Sequence, residues 1–273
     1  MSTTESTSVG TAAPSRTEPW SRAREAFRST LFLGQREVRT SVRTPAMFIP
    51  NLIVPIFFYF VMVGSLERFA NRSGVQNWQA FQLPVAIMFA VMSGSAGLNM
   101  VADIESGYFD KLLLTPANRL SILLGAMGAD FLRIMAQGML VVTVALLTGM
   151  TFATGVTGAV AMVLIASVAG IAYSAIGFAI ALKTGNAQAT QSIWALWVPF
   201  MFLTTAFAPI EALSGWLRTA ARFNPMTYIL RGMRELAGHG WAIHEIGLAL
   251  ITVAALGTVT FTLALRALMG RVR

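Results

Sequence analysis

Three groups of residues have types and spacings suited to recognition or charge handling. The first lies at 103–116, where Asp103, Glu105 and Asp110 surround Gly107, and Tyr108, Phe109, Leu112, Leu113 and Leu114 lead into Thr115-Pro116. Glycine allows a sharp turn, and proline stops a preceding helix. The segment therefore suits a short helix with acids at one end and Tyr108, Phe109 and Leu112 on its flank, shaped to dock into a partner's groove. A plain solvated loop has the same composition, and spacing alone does not separate the two. The second group is Asp130 and Arg133, three residues apart inside an apolar run and so on one helix face. Deep in a bilayer, such charges mark a pathway or relay; at its edge they pair or snorkel. The third group is Met88, Met92, Phe200 and Met201. These flexible or aromatic side chains suit an adaptable hydrophobic substrate cavity, and equally suit ordinary packing.

Other chemistries are poorly supported. No paired-carboxylate site, metal triad or nucleophile elbow is visible, and the chain has 0 cysteines, which excludes thiolate chemistry and disulfides. His239 and His244 share one short segment and read as interfacial residues. The nearest approach to a phosphate loop, Gly177 to Lys183-Thr184, has Leu182 where a second glycine must stand. ATP hydrolysis, a bound cofactor and a metal site are therefore not expected in this chain. The net charge of +8 does not point to nucleic acid, because the basic residues cluster outside the apolar runs, where they suit anionic headgroups and topology signals.

The elements that must position these groups follow from composition. Of the 273 residues, 55% are hydrophobic and only 12% charged, against about 25% charged in a soluble domain. A bilayer core takes about 20 apolar residues per helix, and the chain accommodates about six such spans. Residues 1–19 read as a disordered tail. Residues 20–44 carry Trp20, Phe27 and Leu31 on one helical face and Arg22, Arg24, Arg28, Arg36, Arg39 and Arg43 around the other. That pattern is a basic amphipathic helix lying in the headgroup plane. Spans are expected at 47–66 (with Pro50 and Pro55 inside), 81–101, 122–150, 158–182, 192–208 and 246–268. In the third span the part before Phe131 reads as an amphipathic approach helix. Ser93 with Gly97, and Gly170 with Ser174, have the small-xxx-small spacing that lets helices approach closely.

Orientation follows from the arginines. The segment to residue 44 holds seven, and the carboxyl end holds Arg266, Arg271 and Arg273. The positive-inside rule places both ends in the cytoplasm, as an even number of crossings requires. The stretch 209–241 is too long for a turn and too polar for a span, and this topology puts it outside despite Arg218, Arg222, Arg231 and Arg234.

The motifs resemble a family. Asp103/Glu105, Gly107, Asp110, Leu112-Leu113 and Pro116 look like the cytoplasmic signature of type-2 ABC exporter permeases, a group that includes daunorubicin-resistance permeases. Ala206 to Pro209, Glu211, Trp216-Leu217, Asn224-Pro225 and Arg231 to Arg234 look like that family's stretch before the last span. The resemblance covers nearly the whole chain. It implies an all-α integral membrane protein with a six-helix transmembrane domain at 45–273, working as a homodimer or heterodimer on two nucleotide-binding subunits that use ATP and Mg. It implies a coupling helix at Asp103, Glu105, Gly107, Tyr108, Phe109, Asp110, Leu112 and Pro116. It also implies an outer gate of re-entrant helices at Pro209, Glu211, Trp216, Asn224, Pro225 and Arg231. Asp130 and Arg133, with Met88, Met92, Phe200 and Met201, would then belong to the substrate path.

The expected function is thus the membrane subunit of an exporter in the cell membrane, moving a hydrophobic drug, antibiotic or lipid outward, with no nucleic-acid partner. Two rivals stand beside it. An ion-gradient-driven transporter or channel needs intramembrane ions or inverted repeats, and only Asp130 and Arg133 speak for that. A scaffold would associate with no nucleotide-binding partner.

Overall fold

The computed structural model describes residues 53–65, 77–92, 97–114 and 119–271. The expected amino-terminal tail, the basic amphipathic helix, the start of the first span with Pro50, and the positions Ser93 and Pro116 lie outside these residues. All regular structure among the described residues is helical: α1 (Ile53–Ser65), α2 (Trp78–Met92), α3 (Leu98–Glu105), α4 (Tyr108–Leu113), α5 (Arg119–Leu147), α6 (Gly155–Thr184), α7 (Ala187–Phe202), α8 (Gly215–Phe223), α9 (Pro225–Gly238) and α10 (Ile243–Arg271), with a 3-10 turn at Ile210–Ala212.

Among the described residues, three helices are long and apolar enough to cross a membrane: α5, α6 and α10. The described parts of α1 and α2 are shorter apolar helices. α7 is 16 residues long and opens on Gln188, Thr190, Gln191 and Ser192. These six helices lie where six spans are expected, with shifted edges. The second expected span is not one continuous helix: a new helix begins after Gly97, whose backbone is left-handed. The third is one unbroken helix from Arg119, and the expected division at Phe131 is absent. No proline lies inside it, and Asp130 and Arg133 pair with each other across one turn. The fifth ends at Phe202, about where Pro199 costs the helix a hydrogen bond.

α6 is the hub. It meets α10 most extensively and also packs on α5, α9, α2, α7 and α3. Gly158, Ala159, Ala166, Ser167, Ala169, Gly170, Ala172, Ala175 and Ala181 are buried along it. Small side chains let neighbouring backbones close in where no hydrophobic drive exists between helices in lipid. A Cβ on Gly170 would stand 2.6 Å from Val91 and 2.8 Å from Ile134, so this glycine is where α2, α5 and α6 converge.

The bundle has two distinguishable ends. At one, the last turn of α10 meets the end of α6, with Arg271 donating to the Leu182 carbonyl at 2.9 Å. A separate apolar cluster there joins Val101, Phe109, Leu123, Phe178, Leu182 and Leu268. At the other end, the turn between α5 and α6 meets the end of α9: Ala153 N–H donates to the Ala237 carbonyl at 3.1 Å, and the Thr154 hydroxyl to the Leu236 carbonyl at 2.6 Å.

Candidate functional site

The segment 103–114 is seated at the first of these ends. α3 begins at Gly97, whose φ is +81°; a Cβ there would lie 2.7 Å from the Gly177 carbonyl oxygen. Only glycine lets the two backbones touch in this way. Ser106 and Gly107 turn the chain between α3 and α4, with Gly107 at φ +68°. The Ser106 and Gly107 amides donate to the carbonyls of Ala102 and Ile104, closing α3. Phe109 is wholly buried, and Leu112 and Leu113 lie against the same cluster. The Arg271 guanidinium stands 5.9 Å from the Phe109 ring centroid. Where the alternative for this ring is water, its burial is worth about 2 kcal/mol. Phe109 thus seats the segment on its own bundle. Glu105, Asp110 and Lys111 face outward, and Leu114 is 87% exposed. Asp103 and Tyr108 are partly buried and engaged.

The stretch 209–241 has a different construction. Pro209 precedes the 3-10 turn that carries Glu211. Arg218 donates from Nε to the Ile210 carbonyl at 3.1 Å and from Nη2 to the Glu211 carbonyl, strapping α8 to that turn. Asn224 is nearly buried and works in two directions. Its Oδ1 accepts from the Met226 amide at 2.9 Å, capping α9, and its Nδ2 donates to the carbonyls of Phe200 at 2.9 Å and Leu203 at 3.2 Å. Those are end-of-helix acceptors of α7 that otherwise lack partners. Pro225 occupies the first turn of α9, where a missing N–H costs nothing. Trp216 is 70% exposed. Arg231 pairs with Glu245 at 2.8 Å but is itself largely exposed.

Elsewhere, Arg133 donates from Nε at 3.1 Å and from Nη2 at 2.9 Å, both to Oδ1 of Asp130, while Oδ2 of Asp130 and Nη1 of Arg133 have no partner. The pair is about nine-tenths buried, at 12% and 10% exposure. Met88 and Met201 are fully buried packing residues, Met92 is nearly so, and Phe200 is partly buried against Trp197. His239 lies near Glu235 and His244 near Glu245. Among the described residues no cluster of metal-ligating side chains forms. The stretch 177–184 is continuous helix.

Sequence reasoning did not select Arg234, Thr205, Gln82 or Gln137. Arg234 donates to Phe81 and Thr205, and Gln82 and Gln137 are fully buried with unpaired amides. Arg234 stands in the carboxyl-terminal motif, and Gln137 interrupts an apolar run. Gln82 carried no sequence signal.

Residues 28–237 match the family described as ABC-2 type transporter. This chain belongs to that family. It is 28% identical over 227 residues to the daunorubicin resistance ABC transporter permease protein DrrB1 of Streptomyces coeruleorubidus, covering 81% of this chain and 79% of the relative. It is 22% identical over 224 residues to the probable doxorubicin resistance ABC transporter permease protein DrrC of Mycobacterium tuberculosis, covering 80% of each. A putative transport permease, ycf38 of Cyanophora paradoxa, is 26% identical over 206 residues, covering 72% of this chain and 70% of the relative. Together with the apolar helices, the match makes the chain a membrane-embedded permease of ABC-2 type.

Proposed function

We propose that this permease is the membrane-spanning subunit of an ATP-driven exporter. Two such subunits bind two nucleotide-binding subunits, which use ATP and Mg, and this chain carries no ATPase of its own. It moves a hydrophobic or amphiphilic compound out of the cytoplasm or inner leaflet of the cell membrane. Relatives named for daunorubicin and doxorubicin resistance support a drug or antibiotic substrate. One observation carries the reading: a helix, a glycine turn and a second helix sit on the end of the bundle through Phe109 and present Glu105, Asp110, Lys111 and Leu114 outward. A partner that grips α4 displaces Phe109, and with it the packed ends of α5, α6 and α10. ATP binding remote from the spans then biases the bundle between two packings.

In this reading both termini and the 103–116 segment face the cytoplasm. Residues 209–241 form the outer gate, and Asp130 and Arg133 stand at the inner approach to the substrate path. Met88, Met92, Phe200 and Met201 join that path when the helices separate.

The chain has no native cysteine, so one engineered thiol reports sidedness. Leu114→Cys should react with a membrane-impermeant maleimide in inside-out vesicles, and those vesicles should accumulate doxorubicin only with ATP and the nucleotide-binding partner. Labelling in right-side-out vesicles instead would put the segment beyond the reach of any cytoplasmic ATPase and sink the reading.

A further inference from the structure

The outer segment holds a cation with no carboxylate paired to it among the described residues. Arg234 lies partly buried against α2 and bonds only neutral oxygens. Its Nε donates to the Phe81 carbonyl at 3.0 Å, Nη1 to the Thr205 hydroxyl at 3.0 Å and Nη2 to the Thr205 carbonyl at 2.7 Å. The guanidinium also stands 3.5 Å from the Phe81 ring centroid. One planar fork thereby joins α9, the linker after α7 and the first turn of α2. An ammonium group cannot reproduce that fixed arrangement of donors.

The next residue of α2 acts in the opposite sense. Gln82 is fully buried, and neither its amide nitrogen nor its oxygen has a hydrogen-bond partner. A dry, unpaired amide disfavours the packing that buries it and is relieved when water arrives. Thr227, seven residues before Arg234 and so on the same face of α9, is likewise buried with an unpartnered hydroxyl.

We propose that Arg234 is the positioning residue that latches the outer segment shut, and that the buried amide of Gln82 biases it toward opening. The proposal rests on the outer placement of residues 209–241 given above. The latch grips the first turn of α2, and the α3–α4 segment follows the other end of α2 in the chain. From Met92 back to Phe81 is about 16 Å of helix, so a pull on α4 is carried that far along α2 to the Phe81 carbonyl. A small slide of α2 past α9 breaks the bond to the Phe81 carbonyl and the contact with its ring, and leaves Arg234 held by Thr205 alone.

The test uses Ala206→Cys as the sole thiol, at a wholly buried position next to Thr205. The full chain is placed in right-side-out vesicles and treated with a membrane-impermeant maleimide. Adding Arg234→Ala should accelerate labelling about tenfold or more, because three directional bonds are lost. Arg234→Lys should not restore slow labelling. Gln82→Leu should slow labelling below the level of the parent protein. Thr154→Val, which removes a tie on α9 that does not involve α2, should leave it nearly unchanged.

Labelling at the parental rate in Arg234→Ala would overturn the latch. So would equal acceleration by Thr154→Val, which would show general loosening. Labelling in Gln82→Leu that is no slower than in the parent would overturn the opposing role of Gln82, and this arm stands even if Arg234→Ala fails to fold. Labelling confined to inside-out vesicles would sink the outer placement instead, while the opposite signs of the Arg234 and Gln82 variants would still decide the latch.

Discussion

The 103–114 segment is seated on the bundle by the buried ring of Phe109, with Leu112 and Leu113 beside it and Asp103 partly buried, while Glu105, Asp110 and Lys111 point away. The 209–238 segment is tied at many places: Arg218 to the 3-10 turn, Asn224 to the end of α7, Arg234 to α2, and Ala237 and Leu236 to the turn after α5. Gly232 adds a close crossing, where a Cβ would stand 2.6 Å from Ala249. The first region suits a surface that a separate protein grips and tilts. The second suits a rigid piece that moves as a unit or not at all. Apolar contact is non-directional and tolerates small tilts, whereas hydrogen bonds in a low-dielectric setting hold one geometry strongly. The contrast places compliance at one end and commitment at the other.

The sharpest way to break that contrast is at the glycine turn. Glu105→Ala and Gly107→Leu should each leave membrane insertion intact and reduce ATP-dependent doxorubicin accumulation in vesicles to background. Space around Gly107 is open, so leucine meets no clash, but at φ +68° it incurs a left-handed penalty of about 1–2 kcal/mol. Full transport in both variants would show that the segment is not the coupling surface. A smaller effect is expected at Asn224→Ala. Losing the cap of α9 and the two bonds to α7 should lower stability by about 2 kcal/mol, read as a fall in the melting temperature of the purified protein. An unchanged melting point would mean that the outer segment is less firmly tied than its hydrogen bonds indicate. The smallest effect belongs to Arg231→Gln. Arg231 is exposed and its charge is screened by solvent, although Glu245 opposite is mostly buried, so the change should stay near or below about 1 kcal/mol. If Arg231→Gln weakens the protein more than Asn224→Ala does, surface charge outranks the buried ties and the contrast fails.

Legibility differed by kind of residue. Phe109 was visible as an apolar residue beside a glycine turn, but its inward seating was not, because nothing in the spacing says whether a flank faces a partner or its own bundle. Asn224-Pro225 was visible as a helix start; its second task, satisfying the carbonyls of α7, depends on a helix 20 or more residues away in sequence. Arg231 and Arg234 differ by three positions and look alike in a motif. Only packing shows that Arg231 stays exposed and reaches the Glu245 carboxylate while Arg234 grips α2. Asp130 and Arg133 were legible as a pair on one helix face, and the structure joins them at 2.9 Å.

Composition and periodicity determined by themselves that the chain is helical and membrane-embedded and where its long apolar runs lie, since a lipid core admits few other backbones. The order of the motifs identified the family. Tertiary structure alone decided that α6 is the hub, that a new helix begins at Gly97, and which buried polar atoms are paired. Those outcomes depend on contacts between residues far apart in the chain, and burial turns a polar side chain into either a tie or a liability according to what it meets there.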